Sequence, residues 1–382
     1  MKSGLSRAEV LTSWRLSRAE GGSVASKKAL AFAGIVCLLL VSAAACGTEA
    51  DGVWTEVKAT TLAPSARTGA SMVWNPIDET ALLFGGESWE YMNDLWEYDP
   101  STGVWRELQP EGRVPPARAY HMMAVDPVAG KLVLFGGRSG DRSYQDGTWT
   151  APSYCDDTWT YDLVAGWWSK HTFDGDSPLE REDGAMVYDS SAGKVVLFGG
   201  YRAYGGFGED MDDTWVYDCS EDSWREMPPN GERPSARDGH AMAFDPTTGR
   251  SVLFGGSPLL WTDTWAYDYA TNTWTRLHPS GDIPTERFGH RMVYNPASRS
   301  IILFGGTDFG NRHNDTWEYL PLANDWLRLR PAGGTPQGRL YAAMSVGSED
   351  GLIVLFGGAA QSQGDLGDTW TYLRTVEPDG SE

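Results

Sequence analysis

The chain has 382 residues, 12% of them aromatic with 18 Trp, and a formal net charge of −21 at pH 7. Its first 46 residues hold six basic and two acidic side chains, so the remainder carries 25 basic against 50 acidic. That balance excludes a nucleic-acid or anionic-membrane surface, since both need basic patches. Of four Cys, Cys37 and Cys46 fall within the first 46 residues, and the remaining two, Cys155 and Cys219, are too few for a disulfide framework.

Lys27 and Lys28 open the first recognisable element, an apolar run of 17 residues (29–45) that ends in Ala43-Ala44-Ala45 before Cys46. A basic segment, a short apolar stretch and small residues describe a secretory signal, and the run is short for a membrane span. Its end resembles a bacterial lipobox, in which the Cys is lipidated and becomes the mature N-terminus, although Leu is usual three residues before it. The expectation is a leader over 1–46, lipid attachment at Cys46 and a short linker over 47–52. The domain is then held at the bacterial cell envelope, periplasmic or on the surface, and touches membrane only through that anchor.

Beyond the leader the chain is an array. Phe84, Phe135, Phe198, Phe254, Phe304 and Phe356 each close an apolar run and precede Gly-Gly, at spacings of 51, 63, 56, 50 and 52 residues. After each comes a variable loop and then a hexapeptide of the type "DTWVYD" (213–218). In the third unit "GAMVYD" alternates, "VVLF" is continuous as a strand buried on both faces should be, and Trp215 and Tyr217 share one face. Trp224 opens a fourth strand. Four such strands cannot bury two apolar faces alone, and stacking the sheets around an axis solves this.

Tyr98, Tyr161, Tyr217, Tyr267 and Tyr319 are each followed seven residues later by Trp, namely Trp105, Trp168, Trp224, Trp274 and Trp326. Tyr372 has no such Trp, while Trp54 stands unclaimed at the other end. Trp54 is therefore expected to supply the outer strand of the sixth unit and to close the ring, which removes open strand edges. Cys155 and Cys219 fall at opposite ends of their strands, ~17–20 Å apart in strand length, and are expected to stay free thiols because a disulfide needs Cα atoms within ~7 Å.

Phe-Gly-Gly, a variable loop, Asp-Thr-Trp-x-Tyr-Asp and a later Trp resemble the kelch repeat. The resemblance covers residues 53–374 and implies an all-β, six-bladed propeller of four-stranded antiparallel blades whose first strands line a central channel. An acidic tail follows over 375–382. It implies no particular function, because function sits in sites grafted on the fold.

What recurs in all six units reads as structure, and what differs reads as function. The hexapeptide and outer-strand Trp residues are packing between blades. The loops between Gly-Gly and the hexapeptide differ, at 7, 19, 12, 6, 8 and 9 residues. They carry Trp89, Tyr144, Trp149, Tyr204, Trp261 and Phe309, rings suited to sugar stacking or peptide capture on one face of the disc. The same face takes Arg67, Arg118, Arg181, Arg237, Arg287 and Arg339, the end of each Pro-x-x-Arg. These either pair with a neighbouring Asp or carbonyl, or read an anion at the channel mouth, as Arg residues do in kelch adaptors that bind acidic peptides. Three residues on stand His121, His240 and His290, whose places in different blades set them apart, so no metal site and no cofactor are expected.

The resulting expectation is a monomeric, extracytoplasmic binding module for a protein or glycan ligand. The rival is a carbohydrate-active enzyme, on the resemblance to bacterial N-acetylneuraminate epimerase, another exported kelch propeller. Its acid/base candidates here are Glu182, Asp183 and Asp238, and raised carboxylate pKa values at the channel mouth would favour it.

Overall fold

The computed structural model describes residues 50–58, 62–140, 144–145, 148–149, 152–204, 207–259, 261–347 and 350–375, apart from the side chains of 144, 145, 148, 149 and 204. The chain divides into Met1–Ala50 and Asp51–Glu382, and the architecture is that of the second unit. The expected leader with Cys46, and all of the expected tail except Thr375, lie outside the described residues. Among the described residues no helix is long and apolar enough to cross a membrane.

Among the described residues regular structure is all strand. Ser71–Asn75, Thr80–Phe84, Leu95–Asp99 and Val104–Leu108 form one antiparallel sheet in chain order. Met122–Asp126, Lys131–Phe135, Thr158–Asp162 and Trp168–His171 repeat it. The third sheet is Ala185–Asp189, Lys194–Tyr204, Phe207–Asp218 and Ser223–Glu226. Ala241–Asp245, Arg250–Phe254, Thr264–Asp268 and Thr273–Leu277 make the fourth, and Arg291–Asn295, Ser300–Phe304, Thr316–Leu320 and Asp325–Leu329 the fifth. The last sheet takes Ala343–Val346, Ile353–Phe356 and Thr369–Arg374 from the end of the chain and Gly52–Val57 from its start. Trp54 lies opposite Tyr372 there, as Trp105 lies opposite Tyr98 in the first sheet. Ala332–Gly333 adds a short parallel strand beside Val53 and Trp54. This is the β-propeller pattern.

The apolar run of each second strand up to its Phe is buried throughout because both of its faces meet a neighbouring sheet. Leu82 and Phe84 pack with Met123, Leu134, Trp159 and Trp168 of the following sheet. Trp54 and Leu355 of the last sheet pack with Ile302 and Phe304 of the fifth, and Val354 and Phe356 with Ala70, Met72 and Leu83 of the first.

The Gly-Gly pair is where the next sheet comes too close for a side chain. A Cβ on Gly136, at φ +70°, would sit 2.6 Å from the carbonyl oxygen of Arg181. The next residue uses that approach, since Gly137 N–H donates to the same carbonyl at 2.8 Å. The bond recurs from Gly86 to Arg118, Gly200 to Arg237, Gly256 to Arg287, Gly306 to Arg339 and, from the last sheet to the first, Gly358 to Arg67. Cys155 and Cys219 are free thiols.

Candidate binding face

Each Pro-x-x-Arg side chain turns inward onto the Asp that opens its own hexapeptide. Arg118 Nη1 and Nη2 donate to Asp157 Oδ1 and Oδ2 at 2.6 and 3.1 Å, Nη1 also reaches Gly136 O at 2.9 Å, and Nε reaches Pro116 O at 3.1 Å. Arg67–Asp94, Arg181–Asp213, Arg237–Asp263, Arg287–Asp315 and Arg339–Asp368 repeat this fork. The same Asp accepts the indole N–H two residues on, as Trp159 donates to Asp157 at 2.7 Å. Burial pushes the Asp157 carboxyl up, but the hydrogen bond and charge of Arg118 outweigh it and hold the group below its usual range. The six guanidinium groups are 0–1% exposed. The anion-reading ring therefore gives way to a structural one that ties the entry of each first strand to the start of each third.

Two residues beyond each Arg the backbone enters the left-handed region, at Gly69, Tyr120, Asp183, Gly239, Gly289 and Tyr341, with φ between 52° and 67°. These six residues bond one another in series. Tyr120 N–H donates to Gly69 O, Asp183 to Tyr120, Gly239 to Asp183, Gly289 to Gly239, Tyr341 to Gly289 and Gly69 to Tyr341, at 2.7–3.1 Å. They rim one end of a cavity of about 500 Å³ lined by the first strands of all six sheets. Glycine suits that conformation, whereas Tyr at positive φ is strained.

Charge gathers around this rim. Glu87 accepts the Tyr120 hydroxyl at 3.0 Å and Arg138 Nη2 at 2.8 Å, and Arg138 Nε stands 3.4 Å from Glu182. The Arg138 guanidinium lies 4.3 Å from the Tyr120 ring centre. Burial first, then the charges of Glu87 and Asp238, push the Glu182 carboxyl up to about 7. Burial also raises Asp183 and Asp238, and lifts Asp210 to about 6. Asp183 alone of these carboxylates lines the cavity, because Glu182 faces Arg138 and Asp238 takes the Ser257 hydroxyl. Among the described residues no pair of carboxylates converges on the lumen as acid/base chemistry on one substrate would need.

The loop aromatics divide into presenters and anchors. Trp89 is 89% exposed and Phe309 67% exposed, the latter packed on Phe288 at 4.7 Å between ring centres. Phe207 and Leu259, in the third and fourth of these loops, are exposed as well. Trp261 is half-buried with the Arg237 guanidinium 5.2 Å over its ring, so it pins its loop to the disc. Tyr144 pairs with Trp149 in a two-stranded hairpin, and Tyr204 with Phe207 at the tip of the third sheet. The side chains of Tyr144, Trp149 and Tyr204 lie outside the described residues.

His121, His240 and His290 are buried edge-on against Phe84, Phe198 and Phe254 of the preceding sheets. Burial, with the charge of Arg237, holds the His240 imidazole down at about 3. Among the described residues no group of three His, Cys, Asp or Glu side chains is placed to hold a metal.

Comparison with known proteins matches residues 44–256 and 190–375 to the model of the KLHDC2/KLHL20/DRC7 Kelch-repeats domain. Kelch domain-containing protein 2 of Bos taurus is 28% identical over 301 residues, 73% of this chain and 58% of that protein. Host cell factor homolog hcf-1 of Caenorhabditis elegans is 30% identical over 196 residues, 47% of this chain and 24% of that protein. Host cell factor 2 of Homo sapiens is 29% identical over 189 residues, 46% of this chain and 22% of that protein. The chain thus spans less than two thirds of each relative.

Proposed function

This chain belongs to the kelch-repeat family, and from that premise we propose that it is a protein-interaction module whose loop-bearing face docks a positively charged segment of a partner. The observation that carries the reading is the company kept on that face. Exposed Trp89, Phe207, Leu259 and Phe309 stand on loops around a rim that holds Glu87, Glu182, Asp183, Asp210 and Asp238. Exposed apolar anchors beside a rim whose five carboxylates outnumber the Arg138 guanidinium set among them suit a positively charged partner, with the aromatics as the points of highest binding energy.

The six-bladed, closed form of the propeller belongs to the same proposal. It is supported by the series of rim bonds from Tyr120 round to Gly69 and by the Gly358 to Arg67 bond. Export, lipid attachment at Cys46, residence in a bacterial envelope and a monomeric state are further parts of it, the export resting on the leader's residues, and the 53–374 domain bounds rest on the span of the repeats. A glycan on the same aromatics is the second reading. The raised carboxylates beside Arg138 favour it, but they do not converge on the cavity.

Fluorescence polarisation with aromatic-containing peptides, one basic and one acidic, tests the reading. The basic peptide should bind, lose affinity as salt rises, and weaken about tenfold or more with Trp89→Ala and Phe309→Ala together. Preference for the acidic peptide would overturn it.

A further inference from the structure

Comparing the six sheets position by position isolates two side chains that the fold does not require. At the left-handed rim position three sheets carry Gly and one carries Asp183. Two residues later the sheets carry Ser71, Met122, Ala185, Ala241, Arg291 and Ala343, so one cation stands among small or apolar residues. Asp183 and Arg291 both line the central cavity.

Arg291 is held but not neutralised. Its Nε donates to Ala342 O at 2.7 Å, Nη1 reaches His290 O at 3.4 Å, and the guanidinium lies 6.0 Å from the Tyr341 ring centre. Among the described residues Nη2 makes no hydrogen bond and no carboxylate stands within ion-pair reach of this Arg. Asp183 is the acid whose charge acts on it most, yet the two form no direct pair. The Asp183 carboxylate accepts no hydrogen bond among the described residues. Burial, then Glu182 and Asp238, push its proton affinity up, while burial weakens that of Arg291. Opposite charges that are buried without pairing directly cost free energy unless something bridges them. Tyr120 and Tyr341 meet edge to face at 5.0 Å on the rim, and about 500 Å³ lies within the range of small-molecule sites.

We propose that this cavity binds a small zwitterion of the amino-acid type, its carboxylate on Arg291 and its ammonium on Asp183. The site goes beyond the docking of a partner, since it uses lumen residues and none of the exposed loop aromatics.

Calorimetry of the full chain with glycine, L-leucine, L-phenylalanine and L-lysine, each also as its amide and its N-acetyl derivative, tests this. At least one free amino acid should bind saturably, and losing either charge should weaken it about tenfold or more. Arg291→Ala should erase the penalty for the amide, and Asp183→Gly the penalty for the N-acetyl form. Both substitutions install residues that sister sheets already carry, so thermal melts should stay near the parent. Arg291→Met, after Met122, replaces a variant that fails to fold. Trp89→Ala and Phe207→Ala should leave amino-acid binding unchanged, which separates this site from the partner-docking face. No saturable heat with any of the four would overturn the proposal. So would affinity indifferent to the two charges, as expected if water alone bridges the pair, or affinity that falls with the loop variants.

Discussion

Among the described residues the buried indole N–H of Trp168 has no hydrogen-bond partner, and the residue beside it from the preceding sheet is Leu95. At the position of Leu95 the other hexapeptides have Thr, and there the bond is made. Trp224 donates to Thr158, Trp274 to Thr214, Trp326 to Thr264, Trp54 to Thr316 and Trp105 to Thr369, at 2.9–3.2 Å. Each outer-strand Trp thus reaches the hexapeptide Thr of the sheet before its own, and one substitution breaks the series at Leu95.

Thr158→Val keeps the shape but strands the Trp224 indole as the Trp168 indole is stranded. Leaving a buried donor unsatisfied costs about 1–3 kcal/mol. Urea unfolding of Thr158→Val should show that loss, and Trp224→Phe in the same background should add less than it does alone.

Much of this was legible in the chain. The Tyr-to-Trp spacing of seven placed Trp54 opposite Tyr372, and the continuous apolar runs before Gly-Gly became the fully buried second strands. The Arg residues allowed two readings, pairing with an Asp or reading an anion, and the chain did not decide between them, because their Asp partners lie 26 to 39 residues away, across loops of unequal length. Arg138 carries no sequence signal for a related reason, since it lies in a variable loop and bridges Glu87 and Glu182, which belong to repeats on either side of its own. Arg291 had a readable signal, the odd residue in a column of small ones. It shows only when the first strands are aligned across all six repeats.

Removing one partner of a buried ion pair costs about 3–5 kcal/mol, because the other charge stays buried. Asp157→Asn should therefore destabilise the domain on that scale in thermal or chemical unfolding. The carboxyls of Asp94, Asp157, Asp213, Asp263, Asp315 and Asp368 are held below their ordinary value of 3.8. Their contribution is present above that value and is lost as pH falls through the folded-state titration. Melting temperature should drop on the acid side accordingly.

Glu182 has the opposite sign. A carboxyl raised from 4.5 to about 7 contributes stability that is present below the lower value and lost as pH rises through the upper one. Glu182→Gln should accordingly melt above the parent at about pH 8 and match it at about pH 4. Equal melting at both pH values would mean that the Arg138 pairing compensates the buried charge.

Trp159 and Trp89 should separate packing from presentation. Trp159 is 1% exposed and Trp89 is 89% exposed. Trp159→Ala should cost about 3–5 kcal/mol, while Trp89→Ala should stay within about 0.5 kcal/mol of the parent.

The most direct measurement for the central claim compares the two faces of the disc. Peptides selected from a random display library on the full chain would be titrated against two variants. One carries Trp89→Ala, Phe207→Ala and Phe309→Ala, and the other carries Val128→Ala, Val164→Ala and Leu322→Ala, exposed residues of the strand-joining turns opposite. The account predicts that selected peptides are basic, that the first variant loses about tenfold or more in affinity, and that the second binds like the parent. Affinity lost with the turn variant and kept with the loop variant would contradict it.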